Sequence, residues 1–216
     1  MYFCIIDERV TYRTVIAYKA YFTDFLALQN PKVKEKIAWT LKLIEEIQQV
    51  SETYLKHIEE TDGLYEVRIQ QGSDIFRVFS FFDAGKLLYL QMDFRKKLKK
   101  HQKKKLLRHL KLKMNIMKAN NDITTLSELV SSEYGAIGTA KRNAFEEGYQ
   151  NFKLGALVHD ARIEKGLTQE QLAIKCGTNK SYISKVENNV KDVRISTLQR
   201  IIEVGLGGQL NLSVTL

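Results

Sequence analysis

Proline is almost missing: Pro31 is the only one in 216 residues, which excludes proline-rich linkers and polyproline segments. There are two cysteines, Cys4 and Cys176, far apart and in no metal-ligating or redox spacing. That excludes a disulfide-stapled scaffold and a paired-cysteine zinc module, and it points to reduced thiols in the cytoplasm. No apolar run approaches the ~18 residues of a membrane span, so no membrane partner is expected. The opening MYFCIIDERV has no basic region followed by an apolar core, so no export signal is expected. Nothing in the composition calls for a cofactor or a metal. Acid is missing from one place in particular. Arg95–Lys113 (RKKLKKHQKKKLLRHLKLK) holds 11 Lys+Arg, two His and no Asp or Glu.

Such one-sign density repels itself unless something negative binds it, and a phosphate backbone fits best. The charge is also uneven along the chain. Residues 1–116 carry 22 Lys+Arg against 14 Asp+Glu, a net of +8, while the remainder carries 12 against 11. Leu98, Leu106, Leu107, Leu110 and Leu112 let part of the basic stretch form an amphipathic helix. Around Asn115–Asp122 the pattern lapses into a polar link, with Met117 inside it. This divides the chain into domains 1–116 and 117–216.

The second half centres on Leu167–Glu187, LTQEQLAIKCGTNKSYISKVE. Thr168 is placed to cap one short helix, and Asn179 or Thr178 a second. Counting Gln169 as the first position, the fifth is Ala173, the ninth Gly177 and the fifteenth Ile183. A small residue allows close crossing, Gly makes the left-handed turn, and a branched residue seals the corner. These are the requirements of a DNA-binding helix-turn-helix, and the stretch resembles the repressor-type (Cro/cI, or XRE) family. Exposed positions around the second helix are the candidate DNA contacts. Thr178, Asn179 and Ser181 are candidates for base edges, and Lys180, Tyr182 and Lys185 for the backbone. Gln169, at a helix N-terminus, is placed for a phosphate. Before this motif, Thr124 or Thr125 and Thr139 read as caps of two helices separated by glycines, and Leu154–Lys165 reads as a third. Ser196 is the expected cap of the helix after the motif. The alternating LNLSVTL at the end reads as a strand, for which the same strand of a second copy is a natural partner in a homodimer on a palindromic operator.

The first half reads as α+β. Thr11–Lys19 is rich in β-branched and aromatic residues and predicts a strand; Tyr21–Leu28 and Pro31–Val50 predict two helices. Four strand-like runs follow, Tyr54–Ile58, Leu64–Gln70, Asp74–Phe82 and Leu87–Phe94. The turn signals TDG, QGSD and DAGK separate them, as in an antiparallel meander. If Gln71–Asp74 closes a hairpin, Arg68 stands opposite Arg77 on one face. Two like charges side by side call for an anion or a nearby carboxylate, and Glu66 is within reach.

GLYEVR, then FRVF, then a strand ending in FRKK resembles the RelE/HigB-like ribosome-dependent mRNA interferases, particularly the phage-derived HigB branch, over residues 10–113. The second half, from the EYG…GT segment through ENNVKDVRISTLQRIIE to GLGGQLNLSVTL, resembles HigA antitoxins. The resemblance implies a RelE-like antiparallel sheet with two N-terminal helices, followed by an all-α repressor-type domain with a C-terminal strand. It implies Arg68, Arg77, Lys96 and Lys97 as catalytic residues, acting on mRNA at the ribosome with the substrate's own 2′-OH as nucleophile and no metal. It implies that the second half holds the toxin in check and binds operator DNA. Family members often carry His where Met92 stands, so the general acid and base remain open among Lys96, Lys97, Tyr89, His57 and His101. The competing reading is a two-domain DNA-binding repressor without enzymatic activity.

Overall fold

The structure is a computed structural model that describes residues 2–5, 11–61, 63–90, 123–188 and 193–212. The chain packs as two compact units: Val10–Arg142, and Asn143–Leu216 together with Met1–Arg9.

In the first unit a six-stranded sheet has the order β3-β4-β5-β6-β2-β7. Its strands are β2 (Thr14–Tyr18), β3 (Leu55–His57), β4 (Leu64–Gln71), β5 (Asp74–Asp83), β6 (Lys86–Leu90) and β7 (Ile123–Thr125). The β3–β6 meander is antiparallel as expected, and β2 closes it by running parallel to β6. Between β2 and β3 lie α1 (Lys19–Ala27) and α2 (Pro31–Glu46). Asn30 caps α2 by accepting from the Val33 N–H at 3.0 Å, and Pro31 takes the first helical position, where a missing N–H costs nothing. Val33, Ile37, Leu41 and Ile44 recur at helical spacing and are fully buried.

Charged groups tie the end of α2 to the start of β2. The Arg13 guanidinium donates to the Ile44, Ile47 and Gln48 carbonyls at 2.5, 2.9 and 2.7 Å, satisfying acceptors that a helix end leaves open. The Glu45 carboxylate accepts from the Val15 N–H at 2.7 Å; burial pushes this acid up to about 7. After β7 comes α3 (Leu126–Tyr134).

α4 runs unbroken from Ala140 to Glu164, and from Asn143 onward it belongs to the second unit. The expected separate helix from Leu154 is its continuation. Gly155 sits inside it because the Val186 carbonyl would lie 2.7 Å from any Cβ there. α5 (Gln169–Lys175) and α6 (Lys180–Glu187) form the helical hairpin around Gly177, which holds φ +60°. α7 (Ile195–Arg200) follows and continues into a single π-type turn, Ile201–Gly205. Arg194, not Ser196, holds the cap position of α7 and makes no side-chain cap bond. Val158, Leu172, Ala173, Ile183, Val186, Leu198 and Ile202 form one buried core. The C-terminal strand β8 (Gln209–Leu212) finds a partner within the chain: β1 (Tyr2–Ile5) pairs with it in parallel. A partner strand from a second copy was the sequence expectation; the chain's own first strand takes one β8 edge.

Candidate functional site

The β4–β5 register places Arg68 directly opposite Arg77, as the hairpin rule requires. Alternation along the strands puts Lys56, Glu66, Arg68, Arg77 and Phe79 on one face of the sheet, because Lys56 pairs with Glu66 and Glu66 with Phe79. Glu66 sits between the arginines. Its Oε1 accepts from Arg68 Nε at 2.7 Å and lies 3.3 Å from Arg77 Nε, which is buried without a hydrogen-bond partner of good geometry. The Glu66 side chain is 15% exposed and each arginine side chain 36%, so the carboxylate is the more deeply set of the three groups. Because the carboxylate engages the inner Nε atoms, the outer nitrogens of both forks have no partner among the described residues. A planar fork that stays ionised and binds phosphate in two-pronged fashion suits this position.

Sequence reasoning missed Lys56, which sits across from Glu66 and is held by Glu52 at 3.4 Å. The alternation of β3 was the available signal. Three cations thus share a face with one carboxylate, leaving a net positive surface. His57 stands one residue along β3, so it lies on the opposite face from the arginine pair; its ring meets Tyr65 edge-on at 5.1 Å. Lys96, Lys97, Tyr89's side chain, His101, Met92, Met117 and the basic stretch lie outside what is described.

On the second unit, Thr168 and Gln171 form a reciprocal capping box at 3.1 and 2.8 Å. Asn179 caps α6 by accepting from the Tyr182 N–H at 2.8 Å, so its carbonyl oxygen is committed and its amide N–H groups remain. Lys180, Ser181 and Lys185 are exposed and Thr178 is half-buried, while Tyr182 is half-buried because it packs against the core that holds Ile183 and Val186. The Gln169 side-chain amide donates to Glu187 at 2.8 Å, which fixes its orientation at the N-terminus of α5. Glu187 is the centre of a buried pair. Arg162 donates to both of its carboxylate oxygens, at 2.5 and 2.8 Å, and to the Leu167 carbonyl at 2.8 Å. Arg162 was invisible to sequence reasoning, since a lone arginine on a helix reads as solvated.

Two known families account for most of this geometry. Residues 24–113 match the family described as Phage derived protein Gp49-like, and residues 158–204 match the family described as Helix-turn-helix. The chain joins a Gp49-like domain to a helix-turn-helix domain. The first is of the RelE/HigB-like toxin type and the second of the XRE type, in the order of a toxin and its antitoxin. Among solved structures, the chain is similar to the wild-type restriction-modification controller protein C.Esp1396I. The two are 36% identical over 27% of this chain and 75% of that one, with a TM-score of 0.26. No curated protein matches. The Gp49-like match contains both arginines and Glu66, and the helix-turn-helix match contains Arg162, Glu187 and every DNA-contact candidate. Among the described residues no helix is long and apolar enough to cross a membrane.

Proposed function

We propose that the chain is a toxin–antitoxin module in one polypeptide, with the domain junction at 116/117. The Gp49-like half is a metal-independent endoribonuclease acting on mRNA at the ribosome in the cytoplasm. The helix-turn-helix half restrains it and represses its own operon as a homodimer on operator DNA. The observation that supports this reading is the opposed Arg68–Arg77 pair, both paired with the one carboxylate of Glu66 and each about a third exposed.

Cleavage by the neighbouring 2′-OH needs three things: a proton taken from that hydroxyl, the added charge on the phosphate stabilised, and a proton given to the leaving 5′-oxygen. Arg68 and Arg77 supply the charge stabilisation. Lys96 or Lys97 is the candidate proton carrier, since a lysine crowded by other cations loses its proton more readily, with Tyr89 and His101 as the alternatives. In the second half, Lys180, Tyr182 and Lys185 take backbone phosphates, and Thr178, Ser181 and the free amide of Asn179 take base edges, with Gln169 locked by Glu187 on a phosphate.

The test is expression of residues 1–116 alone. Growth arrest, with cleavage of translated mRNA, is expected, and Arg77→Ala abolishes both. Harmless expression of a folded 1–116 leaves a two-domain DNA-binding repressor without enzymatic activity.

A further inference from the structure

The first unit includes a piece of chain that neither family match covers. The Gp49-like match ends at residue 113 and the helix-turn-helix match begins at 158, yet β7 and α3 lie between them and complete the Gp49-like sheet. β7 adds antiparallel to β2, with Ile16 opposite Thr125, Ala17 opposite Thr124 and Tyr18 opposite Ile123. A strand edge that would otherwise stand open is thereby covered. Thr125 ends the strand and caps the helix at once. Its hydroxyl accepts from the Glu128 N–H at 3.2 Å, and the Glu128 carboxylate accepts from the Thr125 N–H at 2.8 Å and the Thr124 hydroxyl at 3.0 Å. With no loop between them, the register of β7 fixes the direction of α3.

α3 then seats Leu126, Leu129 and Val130, each no more than 8% exposed, on the apolar surface of Phe22, Ile37 and Leu41. At the rim Lys34 pairs with Glu133 at 3.5 Å. Arg142, the last residue of the first unit, donates to the Ser131 hydroxyl at 3.4 Å and the Gly135 carbonyl at 3.5 Å.

We propose that Ile123–Tyr134 is an inhibitory clasp, the contact through which the helix-turn-helix half holds the Gp49-like half inactive. This rests on the ribonuclease reading above. The sheet order puts β7 at the far edge from β4, three strand spacings or ~14 Å beyond β5. The clasp therefore restrains the domain without plugging the arginine site. Its grip is the β2 edge and the α1–α2 surface.

The experiment uses the full chain carrying Leu126→Asp and Leu129→Asp, read by amide hydrogen exchange and by growth. Exchange across residues 123–134 is expected to rise roughly tenfold or more while the β4–β5 hairpin stays protected. Growth stops on expression, and adding Arg77→Ala to the same chain restores it. A peptide of residues 123–136 added to a cell-free translation reaction silences the variant again, which a merely destabilised fold does not explain. If the clasp is released, the hairpin stays protected and growth is normal while residues 1–116 alone arrest it, the clasp is overturned and the ribonuclease reading stands. If neither chain arrests growth although amide exchange shows the β4–β5 hairpin protected in both, both fall. Should the two aspartates unfold the sheet, Thr125→Ala replaces them, since it deletes the cap and leaves the apolar seat intact. Graded release with graded arrest supports the clasp; release without arrest overturns it.

Discussion

Replacing Arg162 by Met isolates what the buried ion pair does for the DNA-reading unit. The Glu187 side chain is 2% exposed and that of Arg162 is 8%. Two hydrogen bonds join Arg162 to the carboxylate, and Gln169 supplies one more donor to it. Without Arg162 the carboxylate stays buried with a single neutral donor, a loss of roughly 3–5 kcal/mol. The Leu167 carbonyl, which ends the loop into α5, loses its donor as well. A second chain with Arg162→Met and Glu187→Leu removes both charges and fills the space with apolar groups. Its stability returns to within about 1 kcal/mol of the parent, because the desolvation cost leaves with the charges. The sole tryptophan, Trp39, lies in the other unit, so its fluorescence does not report this change. Amide exchange at Ile183 and Val186 does, and it should accelerate by roughly two to almost four decades in the single variant. A single-variant cost under about 1 kcal/mol, or a double variant as unstable as the single, refutes the reasoning.

Burial raises Glu45 to about 7, so the folded chain keeps a proton that the unfolded chain releases above the ordinary value of 4.5. Stability is full below that value and falls as pH rises through about 7. Glu45→Gln still accepts from the Val15 N–H, and thermal melts at pH 8 are expected to show a gain of roughly 2 kcal/mol after allowing for partial exposure, with no gain at pH 4. Gly155→Ala adds a Cβ against the Val186 and Glu187 carbonyls, and the overpacking should cost about 1–2 kcal/mol in denaturant titrations despite the better helix propensity. Lys185→Ala should weaken operator binding about equally for cognate and scrambled DNA and lower the salt slope by about one, as a phosphate contact does; a loss confined to the cognate sequence would make it a base reader.

The arginine opposition was legible because a four-residue turn fixes hairpin register, and register fixes faces. The helix-turn-helix was legible for a similar reason: its constraints all fall within about twenty residues. Longer-range features left no such trace. β7 is three residues long and gains its place only from β2, more than a hundred positions earlier, so nothing local distinguishes it from a link. The unbroken α4 was misread as two helices because glycine is a poor helix former. Its close crossing with the end of α6 supplies the reason for Gly155, and that is a tertiary fact. The pairing of β8 with β1 joins the two ends of the chain and has no signature in either segment.

The chain contains two arginine–glutamate clusters, and charge and burial separate their roles. Arg162 and Glu187 balance one for one, are nearly inaccessible, and have their polar atoms met by Leu167 and Gln169. Nothing is left over for a ligand, so the pair fixes the angle between α4 and α6. On the sheet the balance is two arginines to one carboxylate, with Lys56 beside them, and the arginines are a third exposed. A designer seeking only stability would place the second carboxylate or remove one arginine, since directly opposed like charges cost energy. The surplus positive charge is tolerated because Glu66 offsets part of it while the outer nitrogens stay available to an anion. If that surplus serves a phosphate, Glu66→Gln should raise affinity for inorganic phosphate by strengthening the net charge, whereas Arg77→Ala should abolish it. Equal phosphate binding by both variants would make the pair an ornament of the sheet surface.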